Sequence, residues 1–171
     1  MSHFQTLTPS KLSREEFVKA FADIYEHSPW VAEQAYDRGV DETLDEVEGL
    51  HARMSQVFLE ASDDTKLALI NAHPDLAGKA ATRGELTAAS TSEQAGAGIQ
   101  ECTPDEFERF TRYNEAYKAK FGFIFIMAVR GSNRHQILAA FEERLENTRE
   151  QEFERAVSEI NKIALFRLQT M

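Results

Sequence analysis

Phe121-Gly122-Phe123-Ile124-Phe125-Ile126-Met127-Ala128-Val129 is the one continuous apolar run in this chain, and its reading decides the fold. So short a run fits either a strand or a segment of buried helix, and periodicity alone does not separate the two. Gly122 and the aromatic content point to an irregular or extended start, buried in the middle of the molecule. Buried irregular backbone must find partners for its N–H groups, and a bound ligand is one possible partner. Arg130-Gly131-Ser132-Asn133 reads as the turn that follows, with Ser132 or Asn133 capping the next helix.

Outward from the run, the chain reads as amphipathic helix. On the N-terminal side, Thr103-Pro104-Asp105-Glu106 is a capping box with proline in the first helical position. The helix it opens carries Phe107, Phe110, Tyr113, Asn114 and Tyr117 at helical spacing, and its aromatic stripe is expected in the core. Beyond the run, Ile137, Leu138, Phe141 and Leu145 form a second stripe. A last helix, roughly residues 148–166, uses Phe153, Val157, Ile160 and Ala164.

The first half follows the same pattern. Ser13-Arg14-Glu15-Glu16 is another capping box, with Phe17, Ala20, Phe21, Ile24 and Tyr25 on one face behind it. Ser28-Pro29-Trp30 restarts a helix with serine as cap, and Gly39 closes it. Asp41 or Thr43 opens the next, whose stripe is Leu44, Val47, Leu50, Met54, Val57 and Phe58. Ser62 begins another, with Leu67 and Ile70 inward, and Pro74 ends it. The expectation is an all-α fold: a single compact domain over 1–171 with about seven to eight helices.

Composition removes several function classes. The 171 residues carry a formal net charge of −10, which argues against a nucleic-acid surface and against docking on anionic lipid. No apolar run approaches membrane-span length, and the N-terminus lacks a basic-then-apolar signal pattern. The single cysteine, Cys102, excludes an internal disulfide framework and fits a reducing compartment, with the cytoplasm as default. A small anionic substrate remains compatible, provided the pocket itself holds basic or donor groups.

The stretch Asn71-Ala72-His73-Pro74-Asp75-Leu76-Ala77-Gly78-Lys79 departs from the helical pattern. Proline pushes the residue before it towards extended backbone, so His73 is expected where a helix stops. There the helix dipole favours an imidazolium, and imidazole ordinarily titrates near neutrality. His73 therefore reads either as a proton-handling group or as a histidine capping a helix end. Residues 77–98 turn to Ala, Gly, Ser and Thr, reading as loop with a helical piece near 92–100. In it Ser90 and Ser92 are plausible N-caps, and by pattern Glu93 and Gln94 are helix surface. Arg130 reads as a solvated residue after a buried segment.

Other chemistries lack their motifs. No histidine has metal-ligand spacing to another, and neither H-E-x-x-H nor paired Cys-x-x-Cys occurs. There is no G-x-S-x-G elbow and no phosphate-binding glycine loop. Acid–base chemistry without a cofactor is what remains.

Three motifs in order carry a resemblance: His73-Pro74-Asp75-Leu76 with Gly78-Lys79; Ser92-Glu93-Gln94-Ala95-Gly96; and Phe121-Gly122-Phe123 through Ile126, Ala128, Arg130 and Gly131. Together they resemble the 2-oxo-4-hydroxy-4-carboxy-5-ureidoimidazoline (OHCU) decarboxylase family, from Phe17 to the final helices. The resemblance implies an all-α, commonly homodimeric enzyme acting third in the conversion of urate to (S)-allantoin. It implies His73 as catalytic histidine with Glu93 as its carboxylate partner. It also implies a substrate pocket with Pro74, Ser90 (Ser92 being close enough to confuse the assignment), Gln94, and the segment Phe125, Ile126, Met127, Ala128 and Val129, whose backbone holds the ring. Arg130, which follows that segment, is implied as a carboxylate or ring contact. Ile124 stands where many members have proline. The implied reaction needs no cofactor and no metal, because the ring C=N of OHCU accepts the electron pair released with CO₂.

Overall fold

The computed structural model describes residues 2–78 and 86–171. Among these the chain forms eight α-helices: α1 (Arg14–Phe21), α2 (Trp30–Asp37), α3 (Val47–Leu59), α4 (Asp63–Ala72), α5 (Ala88–Gly96), α6 (Pro104–Phe121), α7 (Arg134–Arg144) and α8 (Arg149–Gln169). Short 3₁₀ turns at Pro9–Lys11, Glu42–Asp45 and Ile99–Glu101 punctuate them. The only extended pairing among the described residues is an isolated bridge between His3 and Glu46. The fold is all-α. No helix among the described residues is long and apolar enough to cross a membrane.

The residues gather into two compact units: the chain up to Ala72 together with Ile160–Met171, and His73–Glu159. In the first, the expected capping box of α1 forms, with Ser13 accepting from the Glu16 N–H and Glu16 reaching back. The stripe Leu44, Val47, Leu50, Met54, Val57 and Phe58 is buried throughout, beside Phe17 and Phe21. A buried ion pair, Arg167 with Glu26 at 2.8 Å, belongs to this unit. Two local expectations change. Ser28 does not cap α2; it is buried, its hydroxyl donates to the Glu26 carbonyl, and Pro29 takes the cap position. On α4 it is Leu69 that joins Ile70 inside, while Leu67 is half-buried.

The second unit is built on α6. Its capping box forms as the sequence predicts, and its far end is closed by Gly122 at φ +78°, a left-handed position that glycine takes without a Cβ penalty. The buried face of α6 is Phe110, Asn114, Tyr117 and Phe121. Phe107, expected in the core, is 39% exposed, because it sits in the first turn before that face begins. Residues 123–129 then run on as neither helix nor strand, mostly buried, until Asn133 caps α7 in a box with Gln136.

The Ala/Gly/Ser/Thr segment folds differently from the sequence reading. Thr87 is the N-cap of α5, accepting from the Ser90 N–H, so neither Ser90 nor Ser92 caps. Starting the helix earlier turns Ser90 and Gln94, one turn apart, to the inside, and leaves Ser92 exposed.

Candidate active site

α4 stops at Ala72, and His73 follows it only 8% exposed. Residues 74–78 form a turn that the rest of the unit grips by its backbone. Ala77 stands at φ +53°, a conformation costing an L-residue roughly 1–2 kcal/mol. Gln94 of α5 compensates: its Oε1 accepts the Ala77 N–H at 3.1 Å, and its Nε2 donates to the Asp75 carbonyl at 3.3 Å. A single side-chain amide thus satisfies a donor and an acceptor two residues apart. From α6, Asn114 Nδ2 donates to the Leu76 carbonyl at 2.9 Å and Lys118 Nζ pairs with Asp75 Oδ2 at 2.7 Å. Gly78 is required here, since a Cβ would stand 2.7 Å from the Asp75 Cβ. Lys79, part of the sequence motif, lies outside the described residues.

The amide of Gln94 makes a direct prediction. Gln94→Leu leaves the buried Ala77 N–H without its acceptor, a loss of about 1–3 kcal/mol. Urea unfolding is expected to show a lower midpoint for Gln94→Leu; an unchanged midpoint would show that the brace contributes nothing.

The apolar run is held from other directions. Phe125 stacks on Phe141 with ring centroids 3.7 Å apart, and the Arg144 guanidinium lies 4.3 Å over its ring. Arg144 Nη1 donates to the Ile126 carbonyl at 2.6 Å and its Nε to Glu152 Oε1 at 2.8 Å. Glu152 is fully buried and also receives the Tyr117 hydroxyl at 2.6 Å and Asn147 Nδ2 at 2.9 Å. Burial, then the hydrogen bond to Glu152, push the Tyr117 phenol up, keeping it a proton donor. Two residues beyond Ile126, the Ala128 N–H donates to Glu159 Oε1 at 3.2 Å, and Arg155 faces the other oxygen at 3.4 Å.

Of the residues singled out from sequence, His73, Ser90, Gln94, Phe125, Ile126 and Val129 are buried. Pro74, Glu93, Met127 and Ala128 are half-buried, and Arg130 is exposed in the turn after the run. Gln94 is joined directly to the turn after His73. The turn and the run share a support, because Asn114 and Tyr117 lie three residues apart on one face of α6, where side chains are neighbours. Asn114 grips the turn, while Tyr117 packs against Phe123 and Phe125.

Sequence reading missed Arg144, Glu152 and Glu159 because it assigned inward positions to apolar residues. Their spacing was the available signal. Arg144 follows Ile137 and Phe141 at i+7 and i+3, and Glu152 and Glu159 flank buried Ala156 at helical intervals.

Comparison with known proteins places the chain in a family. The sequence model of OHCU decarboxylase matches residues 10–169. A protein of Haloferax volcanii named 2-oxo-4-hydroxy-4-carboxy-5-ureidoimidazoline decarboxylase is 41% identical over 93% of this chain and 90% of its own length. The fold is similar to a crystal structure of (S)-allantoin synthase, with a TM-score of 0.75 and 34% identity over 95% of this chain; the match spans 51% of that longer chain. It is also similar to a crystal structure of OHCU decarboxylase in the presence of (S)-allantoin, with a TM-score of 0.67 and 25% identity over 82% of this chain and 89% of that one. With its histidine-headed turn and its buried apolar run, the chain belongs to the OHCU decarboxylase family.

Proposed function

We propose that this chain is a carboxy-lyase that converts OHCU to (S)-allantoin in urate degradation, with His73 and Glu93 as its catalytic pair. The observation that carries the reading is a buried histidine heading a turn braced by Gln94, in a chain that the family model matches almost from end to end. Both compact units then belong to one catalytic domain, since that match runs through both.

The chemistry asks little of a protein beyond positioning and proton handling. When the bond to CO₂ breaks, its electron pair forms a ring C=C, and the former C=N electrons end on the ring nitrogen, which takes a proton. The resulting enol then takes a proton on the carbon bearing the ureido group, and its hydroxyl loses one to give the carbonyl. The substrate carboxylate must be held out of the ring plane, and the carbon protonated from one face. In this reading His73 orients the hydroxyl and carboxylate and initiates CO₂ loss, while Glu93 supports it as its carboxylate partner. Pro74 and Ser90 line the pocket. Gln94 keeps one N–H beyond the one it spends on the turn, and that donor is available to a ureido oxygen. Main-chain groups of residues 125–129 meet the ring, and Arg130 is placed at the margin. The single cysteine supports a cytoplasmic enzyme, and the family resemblance supports a homodimer; light scattering at a mass near twice 19.4 kDa would be its signature.

The deciding experiment is circular dichroism of freshly generated OHCU with and without the protein. Rapid growth of the (S)-allantoin signal is expected. A trace that follows uncatalysed decay to racemic product, from folded protein, would overturn the assignment.

A further inference from the structure

We propose that Glu159 and Arg144 are positioning residues that pin one edge of residues 123–129, so that the opposite edge, led by the main chain of Met127, is presented to substrate. This rests on the reading that the run holds the substrate ring. Phe123 and Phe125 both set their rings edge-on to Tyr117, with centroids 5.9 and 5.3 Å away. Side chains two residues apart meeting one neighbour are the mark of extended backbone. In extended backbone the N–H and C=O of one residue leave the same edge, and those of the next residue leave the other. The Ile126 carbonyl goes to Arg144 and the Ala128 N–H goes to Glu159, again two residues apart. These groups define the protein-held edge. The main-chain groups of Phe125 and Met127 therefore face the other way.

Neither clamp residue is loose. Arg144, 2% exposed, is fixed by the Glu152 carboxylate and by the ring of Phe125. Glu159 is buried, and Arg155 faces its second oxygen. The bond from the Ala128 N–H to the Glu159 carboxylate, 3.2 Å long, is strengthened by the charge of its acceptor. It is spent on the residue next to Met127, in a run that forms no helix or strand. Such bonds hold an irregular backbone to the tolerance a reacting ring needs.

The test combines hydrogen–deuterium exchange of the peptide spanning the run, with and without (S)-allantoin, and steady-state kinetics on OHCU. In the unsubstituted protein (S)-allantoin is expected to slow exchange there. Glu159→Met removes the acceptor and is expected to lower kcat/KM by about 10–100-fold, with a raised KM and weaker protection by (S)-allantoin. Glu159→Gln keeps an acceptor oxygen and is expected to recover kcat/KM to within about 3-fold, the neutral bond being weaker. No protection by (S)-allantoin in the unsubstituted protein would overturn the reading that the run binds the ring, and the clamp with it. Protection together with undiminished kcat/KM in Glu159→Met would overturn the clamp alone. So would a Gln variant as impaired as the Met variant. If Glu159→Met does not fold, Arg144→Lys carries the test. It keeps a cation beside Glu152 but loses the planar fork that reaches Ile126 at the same time; the same fall is expected, and an unchanged kcat/KM would overturn the proposal.

Discussion

His73→Ala is expected to reduce the enzymatic formation of (S)-allantoin by about 10²–10⁴-fold, the usual worth of a general acid–base group, while leaving the fold intact. The second half of that expectation comes from where the braces lie. Gln94, Asn114 and Lys118 hold residues 75–77 by their backbone and by the Asp75 carboxylate. The Pro74 restriction on the preceding backbone persists with alanine. Losing a buried polar ring costs about 1–3 kcal/mol, or roughly 2–12 °C in Tm for a chain of this length, so the variant remains folded at assay temperature. Rates have to be read as the excess over spontaneous decay of OHCU, and product chirality is the more sensitive channel. A folded His73→Ala protein that still yields (S)-allantoin at the original rate would remove His73 from the mechanism. Glu93→Gln separates charge from shape in the same assay: an impaired but folded variant is expected, and full activity would show that the carboxylate charge is not used.

The helices were legible from sequence because capping boxes and apolar stripes are local signals. Ser13 with Glu16, and Thr103 with Glu106, form the reciprocal bonds their spacing predicts. His73 was legible for a similar reason, as proline after histidine restricts the backbone without help from the rest of the fold. Gln94 was not. By pattern it lies on a helix surface, and it turns inward only because α5 starts at Ala88 and because the turn at Ala77 needs an acceptor. Tertiary demand of that kind leaves no mark in a local window. Gly122 and the aromatic content anticipated an irregular or extended start to the run, while strand and buried helix both stayed open for the rest of it, which is neither. Its partners were not, since Arg144 and Glu159 are charged residues and charge reads as surface. Polar groups that brace irregular backbone must be buried with it, so an apolar run that is neither helix nor strand itself implies buried polar side chains elsewhere, here charged ones. That implication could have directed attention to the inward-spaced Glu152 and Glu159.

The largest stability loss is expected at Glu152. Its two oxygens serve Tyr117, Arg144 and Asn147, and the side chain is wholly removed from solvent. Glu152→Ala leaves the Arg144 guanidinium buried without its counter-charge and strands the Tyr117 hydroxyl. Breaking a buried pair by removing one partner costs about 3–5 kcal/mol. At about 2–4 °C per kcal/mol for a chain of this length, Tm is expected to fall by roughly 6–20 °C. Removing both charges together, as in Arg144→Met with Glu152→Leu, is expected to restore part of that loss, because well-packed apolar pairs often match buried ion pairs. Restoration is expected to stop short of the original, since the Ile126 carbonyl loses its donor and Tyr117 its acceptor. Differential scanning calorimetry on the three proteins measures all of this. A Glu152→Ala protein with an unchanged Tm would mean the network is not a support of the run. A double variant more stable than the original yet slow on OHCU would mean that this ion pair is kept for the position of residues 123–129 rather than for stability.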